Sequence, residues 1–193
     1  MTQKILLKTV DLPNGETLGY RESGNGSNIL VLIHGNMTSS KHFDLFMEKF
    51  PTAYKVYAVD LRGFGISSYK TPINALSDFS KDLKYFTDAL ELKAFTLAGW
   101  SLGGGVAMDF SSAYPFLVKK LILIESVSVR GFDIFSRETG KKIKTRQQIQ
   151  ENGAMKKLFQ AFERKDRKFI RRFWKKLIYT HAAPDPKKFE EYL

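Results

Sequence analysis

No cysteine occurs among the 193 residues, so disulfides and thiolate metal sites are excluded. Apolar runs are short, the longest holding only a handful of residues, far below the roughly 20 that a membrane-spanning helix needs. The first residues, MTQKILLKTVDLPNGE, lack the apolar core and small-residue cleavage site of a secretory leader, so a cytoplasmic location is expected. Histidine is scarce: His34, His42 and His181 are the only three. Any chemistry that needs an imidazole base must draw on these or on another chain segment. What remains is 43% hydrophobic and 26% charged, the composition of an ordinary globular protein with one sizeable core.

Negative charge is scarce in the last part of the chain. Residues 1–140 hold 15 Lys and Arg against 14 Asp and Glu, and residues 141–193 hold 16 against 6, so nearly all of the net +11 lies there. Such asymmetry can mark a nucleic-acid or membrane surface. No nucleic-acid motif accompanies it, and a solvated face of an amphipathic helix explains it as well. Neither a nucleic acid nor a membrane is therefore expected as a partner.

Strand-like runs recur at 4–11, 16–22, 28–33, 55–60, 94–98 and 120–125. Pro13-Asn14-Gly15 supplies turn chemistry between the first two. Phe79, Leu83, Phe86 and Leu90 recur at helical spacing, with Ser77 and Asp78 as candidate caps. A second helix is expected from Leu102 to Tyr114, stopped by Pro115. Strands alternating with helices predict an α/β protein with a mostly parallel sheet covered on both faces. After Glu125 no further strand-like run appears. Met155, Leu158, Phe159 and Phe162 form one helical stripe; Phe169, Ile170, Phe173, Trp174, Leu177 and Ile178 form a stronger one among lysines and arginines. Two domains are expected, 1–125 as the core and 126–193 as a helical unit.

The stretch Gly99-Trp100-Ser101-Leu102-Gly103 lies between a predicted strand and a predicted helix. In the G-x-S-x-G pattern, serine occupies a sharp strained turn and the glycines let strand and helix approach. Ser101 is thus a candidate nucleophile near the positive end of a helix, which favours a developing oxyanion. Two backbone N–H donors are needed there. Leu102 supplies one; Asn36 is the candidate for the other, with Met37 as the runner-up, in HGNMTSS (34–40) after the third strand. His34 is read as bracing that loop rather than as the base, and DLRGFGIS (60–67) as a structural loop.

His34-Gly35, DLRGFGIS and GWSLGG, in this order, resemble the α/β-hydrolase superfamily. The resemblance covers residues 1–125 as the core sheet. It implies the α/β-hydrolase fold, with 126–193 as an incomplete helical cap and the C-terminal strands absent. HGNMTSS is similar to the oxyanion loop of haloalkane dehalogenases. Those enzymes carry an aspartate nucleophile where this chain has Ser101, so dehalogenation is not expected. The pattern is closer to esterase-like hydrolases.

In this superfamily the triad runs nucleophile, acid, histidine. Glu125, at the end of the sixth strand, is a candidate acid. His181 follows Ser101 in sequence, but it ends the basic cap helix rather than a core strand. The base is expected outside these 193 residues. The resemblance implies a serine hydrolase acting on a carboxylic ester or related carbonyl compound with an apolar part. No cofactor or metal is implied, and a homo-oligomer is one of the states left open. The alternative is a non-catalytic fold that binds a small molecule or a partner.

Overall fold

The computed structural model describes residues 3–131, 133–136, 139–143 and 145–193. The chain forms two compact units, residues 1–131 and 132–193.

The first unit is a six-stranded sheet of β1 (Ile5–Asp11), β2 (Thr17–Ser23), β3 (Asn28–Ile33), β4 (Tyr54–Val59), β5 (Phe95–Trp100) and β6 (Val118–Ile124). The spatial order is β1-β2-β4-β3-β5-β6. β1 and β2 pair antiparallel in a hairpin, and β2 pairs antiparallel with β4. From β4 through β3 and β5 to β6 the pairing is parallel. The apolar runs of β3 and β5 become central strands because both of their faces are buried.

Helices lie on both faces, as expected. Helix α1 (Asp44–Lys49) buries Met47 against Leu30, Leu32, Val56, Ala58 and Ala98. On the other face, α2 (Leu76–Ala89) and α3 (Leu102–Ala113) bury Phe79, Leu83, Phe86, Val106, Ala107 and Phe110 against Val31, Ile33, Val59 and Leu97. The helical periodicity around Phe79 was sound, but its start needs correction. The N-cap is Ala75, and Ser77 lies inside the helix. Asp78 instead reaches back from the third helical position, and its Oδ2 accepts the N–H groups of Asn74 and Ala75. Helix α1 was not anticipated, because six residues are too few to show a period.

β6 pairs with β5 alone among the described residues. Leu121, Ile122, Leu123 and Ile124 each keep 38–45% of their surface exposed. The β6 edge of this sheet is therefore apolar and has unpaired backbone groups among the described residues.

The second unit contains the helices α4 (Arg146–Glu151), α5 (Gly153–Glu163), α6 (Arg167–Leu177) and α7 (Pro186–Tyr192). The expectation of no strand after Glu125 needs correction. Ile134–Phe135 (β7) and Lys142–Ile143 (β8) form a two-residue antiparallel ladder outside the main sheet. So short a pair leaves no alternation to read. Of the two predicted stripes, Leu158, Ile170 and Trp174 are buried, joined by Ala161 and Phe189. Arg171 and Arg167 pair with Glu190, so part of the cationic helix face is neutralised within the unit.

Candidate active site

Ser101 joins β5 to α3 with φ 54 and ψ −115. A non-glycine residue at that φ is strained and needs external support. The support is backbone: the Ser101 N–H donates to Ile124 O at 3.1 Å, and Ser101 O accepts the N–H groups of Gly104 at 3.0 Å and Val127 at 3.2 Å. Two glycines make the turn sterically feasible. A Cβ on Gly99 would stand 2.2 Å from Gly103 O, and one on Gly103 would stand 2.3 Å from Ile33 O. The spacing of these glycines in the sequence thus reflects backbone packed on backbone at the strand-to-helix corner.

The HGNMTSS loop lies against this corner. A Cβ placed on Gly35 would come within 3.2 Å of Ser101 Cβ. The structure therefore brings the loop of Asn36 beside Ser101. Among the described residues, neither the Asn36 N–H nor the Leu102 N–H donates to a protein acceptor. The Met37 N–H is taken by Asn36 Oδ1 at 2.9 Å, which leaves Asn36 rather than Met37 as the candidate donor.

His34 is fully buried. Its Nδ1 lies 2.7 Å from Gly35 O, and its Nε2 lies 3.0 Å from the Leu61 nitrogen. Gly35 O can only accept and the Leu61 N–H can only donate. The ring is therefore neutral, protonated at Nδ1, and spans the loops after β3 and β4. Burial pushes its pKa down, against the Gly35 carbonyl and the charge of Asp60. With both nitrogens committed, His34 cannot accept a proton from Ser101.

His42 escaped the sequence reading. It packs 6.4 Å from the Trp100 ring, and its Nδ1 accepts the Ser39 N–H at 3.2 Å. Burial pushes its pKa down to about 4. Both rings make stability fall with pH. Above pH ~6.5 they are neutral in the folded and unfolded chains alike. Below it the unfolded chain takes protons that the folded chain refuses, until the folded pKa is reached. For His42 the window runs down to about pH 4 and is worth roughly 3 kcal/mol. Urea unfolding at pH 7, 5.5 and 4.5 is expected to show that fall. His42→Phe is expected to reduce that slope, with His34 supplying what remains; an unchanged slope would count against this assignment.

The DLRGFGIS loop is structural, as read. Asp60, fully buried, accepts the Ser40 N–H at 2.7 Å and the Ile66 N–H at 3.1 Å. Arg62 donates from Nε to Asp82 Oδ2 at 2.7 Å and from Nη2 to Asp82 Oδ1, and its Nε lies 3.8 Å from Glu16. This pairing is not legible in the sequence, because its three members lie on different elements.

Glu125 follows β6 with φ 43, is exposed, and makes no ion pair or hydrogen bond among the described residues. His181 belongs to the second unit and is exposed in the segment after α6. Among the described residues no three His, Asp or Glu groups could hold a metal, and no helix is long and apolar enough to cross a membrane.

Strand order, the strained serine corner and the facing loop together define an α/β hydrolase. A family model described as alpha/beta hydrolase fold matches residues 28–175, and the chain belongs to that family. It is 27% identical to a serine hydrolase-like protein of Danio rerio over 158 residues, which is 81% of this chain and 47% of that one. It is 30% identical to a human (lyso)-N-acylphosphatidylethanolamine lipase, over 65% of this chain and 39% of that protein. Among solved structures, a putative lipase from Acinetobacter baumannii AYE superposes with a TM-score of 0.60 at 28% identity, covering 69% of this chain and 44% of the other. The chain spans less than half the length of the curated relatives it matches.

Proposed function

We propose that this chain carries the nucleophile and the oxyanion donors of a serine hydrolase for carboxylic esters or related carbonyl compounds. The observation that carries the reading is Ser101 at φ 54 beside two uncommitted backbone donors. Ser101 Oγ attacks the carbonyl carbon as its proton passes to the base, and the N–H groups of Leu102 and Asn36 receive the negative oxygen. The ester C–O bond then breaks as the base returns that proton to the departing alcohol, and water, giving its proton to the same base, releases the acyl group. In this reading the helical second unit corresponds to the cap, and the substrate carries an apolar part. The printed names of the relatives, a lipase among them, agree with that class.

The base is the missing element. His34 has both nitrogens committed, and His42 is buried with a pKa of about 4. We infer that the base is a histidine outside the first unit, supplied by a longer form of the protein rather than by His181, which follows the basic helix of the second unit. Glu125 remains the candidate acid, at the carboxyl end of β6.

The test is turnover of p-nitrophenyl butyrate by this chain and by a longer form that supplies a histidine. Each is compared with its Ser101→Ala variant. The short chain is expected to show only the residual rate of an oxyanion hole, and Ser101→Ala is expected to change it by less than about threefold. The longer form is expected to be far faster and to lose that gain with Ser101→Ala. Fast turnover by the short chain that Ser101→Ala abolishes would refute the missing base and make His181→Ala the next variant. A longer form indifferent to Ser101→Ala would favour the second reading, a non-catalytic binder, which the two committed or buried histidines of the first unit also support.

A further inference from the structure

We infer that Thr38 and His34 act together as a clamp on the Gly35 carbonyl, and that this clamp aims the Asn36 N–H at the substrate oxygen. The inference rests on the proposed oxyanion role of Asn36. It assigns Thr38 a positioning function.

Gly35 C=O and Asn36 N–H belong to one planar peptide unit. No cis bond is present, so the two groups point in opposite directions. Whatever fixes the carbonyl therefore fixes the N–H. The carbonyl accepts two bonds, from His34 Nδ1–H at 2.7 Å and from Thr38 Oγ1–H at 2.7 Å. Two acceptor sites are available on a carbonyl oxygen, and both are filled. Both donors are buried, with His34 fully enclosed and Thr38 5% exposed, so water does not compete for the carbonyl.

The clamp is itself anchored. His34 Nε2 accepts the Leu61 N–H at 3.0 Å, which fixes the ring to the loop after β4. The Phe64 ring packs edge-on at 5.1 Å. On the far side of Asn36 the chain turns sharply at Met37, with φ 60, and Asn36 Oδ1 caps the Met37 N–H. The side chain of Asn36 is thus spent on its own turn, and its backbone N–H is left over. Gly35 packs against Ser101, so the loop that carries that N–H adjoins the nucleophile. A peptide whose carbonyl accepts two hydrogen bonds is also polarised, so its N–H becomes a stronger donor. Orientation and polarisation act in the same sense on a charge that exists only in the transition state.

The test uses Thr38→Val, which removes the hydroxyl and keeps the shape, and Thr38→Ser, which keeps the hydroxyl. With p-nitrophenyl butyrate, Thr38→Val is expected to lower kcat about 10-fold with little change in KM, in both the short and the longer form. Thr38→Ser is expected to stay within about twofold of the parent in kcat. A second measurement does not need turnover. In carbon-13 and nitrogen-15 NMR, Thr38→Val is expected to move the Gly35 carbonyl upfield and to shift the Asn36 amide, while Thr38→Ser leaves both in place. Parent-like kcat in Thr38→Val, or equal damage in both variants, overturns the inference. An unmoved Gly35 carbonyl does the same. Failure of the hydrolase reading looks different: the longer form would ignore Ser101→Ala while Thr38→Val still moved the Gly35 and Asn36 signals.

Discussion

Arg62→Met is expected to destabilise the first unit by about 3–5 kcal/mol at neutral pH. Arg62 is 6% exposed, and its fork grips Asp82, itself 1% exposed. Its third nitrogen donates to Thr71 O at 3.1 Å. The bidentate bonds to Asp82 raise its already high pKa further, so it is charged at every accessible pH. Methionine fills much of the same space and supplies no donor. It leaves Asp82 and Glu16 as buried carboxylates without their cation, and that uncompensated charge is the source of the loss.

The pH dependence carries a sign that separates this cause from packing. Burial pushes the Glu16 carboxyl up, but bonds from the Ser68 hydroxyl and the Lys70 and Thr71 N–H groups, with the Arg62 charge, outweigh it and hold its pKa low. Removing Arg62 takes away part of that support and raises the folded-state pKa of Glu16. The deficit against the parent is then largest at neutral pH and shrinks as falling pH protonates that carboxylate. A Trp174→Phe background leaves Trp100 as the sole indole, so urea unfolding by fluorescence reports the first unit alone. A deficit that is the same at pH 7 and pH 5 would point to lost packing instead. Arg62→Met with Asp82→Leu is expected to recover part of the loss, because the buried charge goes with its partner.

Gly103→Ala is expected to cost about 3 kcal/mol and to displace the corner that holds Ser101. The new Cβ would stand 2.3 Å from Ile33 O and 2.6 Å from His34 O. Both are backbone atoms, so relief requires β3 and α3 to separate. That movement also carries the HGN loop away from Leu102. Gly105→Ala is the control in the same helix. Its Cβ meets only side chains, Val127 at 2.8 Å and Leu76 at 3.3 Å. Those tips can turn aside, and alanine gains up to about 1 kcal/mol in helix propensity. Gly105→Ala is therefore expected to stay within about 1 kcal/mol of the parent. Equal costs at the two positions in urea melts would show that the close backbone approach at Gly103 is not the reason for its glycine.

The six main strands and the long helices α2 and α3 were readable because each repeats a simple period over enough residues. Helix α1 and the β7–β8 ladder were not, because each is shorter than the window in which a period shows. The site divides in the same way. Ser101 and Leu102 sit within one local motif whose glycines are legible, although the backbone support of the strained turn comes from Ile124 and Val127, distant in sequence. Asn36 could be named because it follows a strand end directly. The role of Thr38 could not, since a hydroxyl three residues from Gly35 becomes a clamp only when the loop curls back on the Gly35 carbonyl. Arg62, Asp82 and Glu16 are separated by tens of residues, and nothing in their spacing announces a pair.

By itself the sequence determined the alternation of strands and helices, the corner at Ser101, the absence of thiol chemistry and the shortage of histidines. These are local or compositional properties, and local backbone preference and burial periodicity suffice to express them. The tertiary structure alone decided the order β1-β2-β4-β3-β5-β6, the open apolar edge at β6 and the fate of His34 and His42. A histidine's protonation depends on what surrounds the ring and which groups its nitrogens meet. Those surroundings come from segments distant in sequence, brought together only when the sheet assembles.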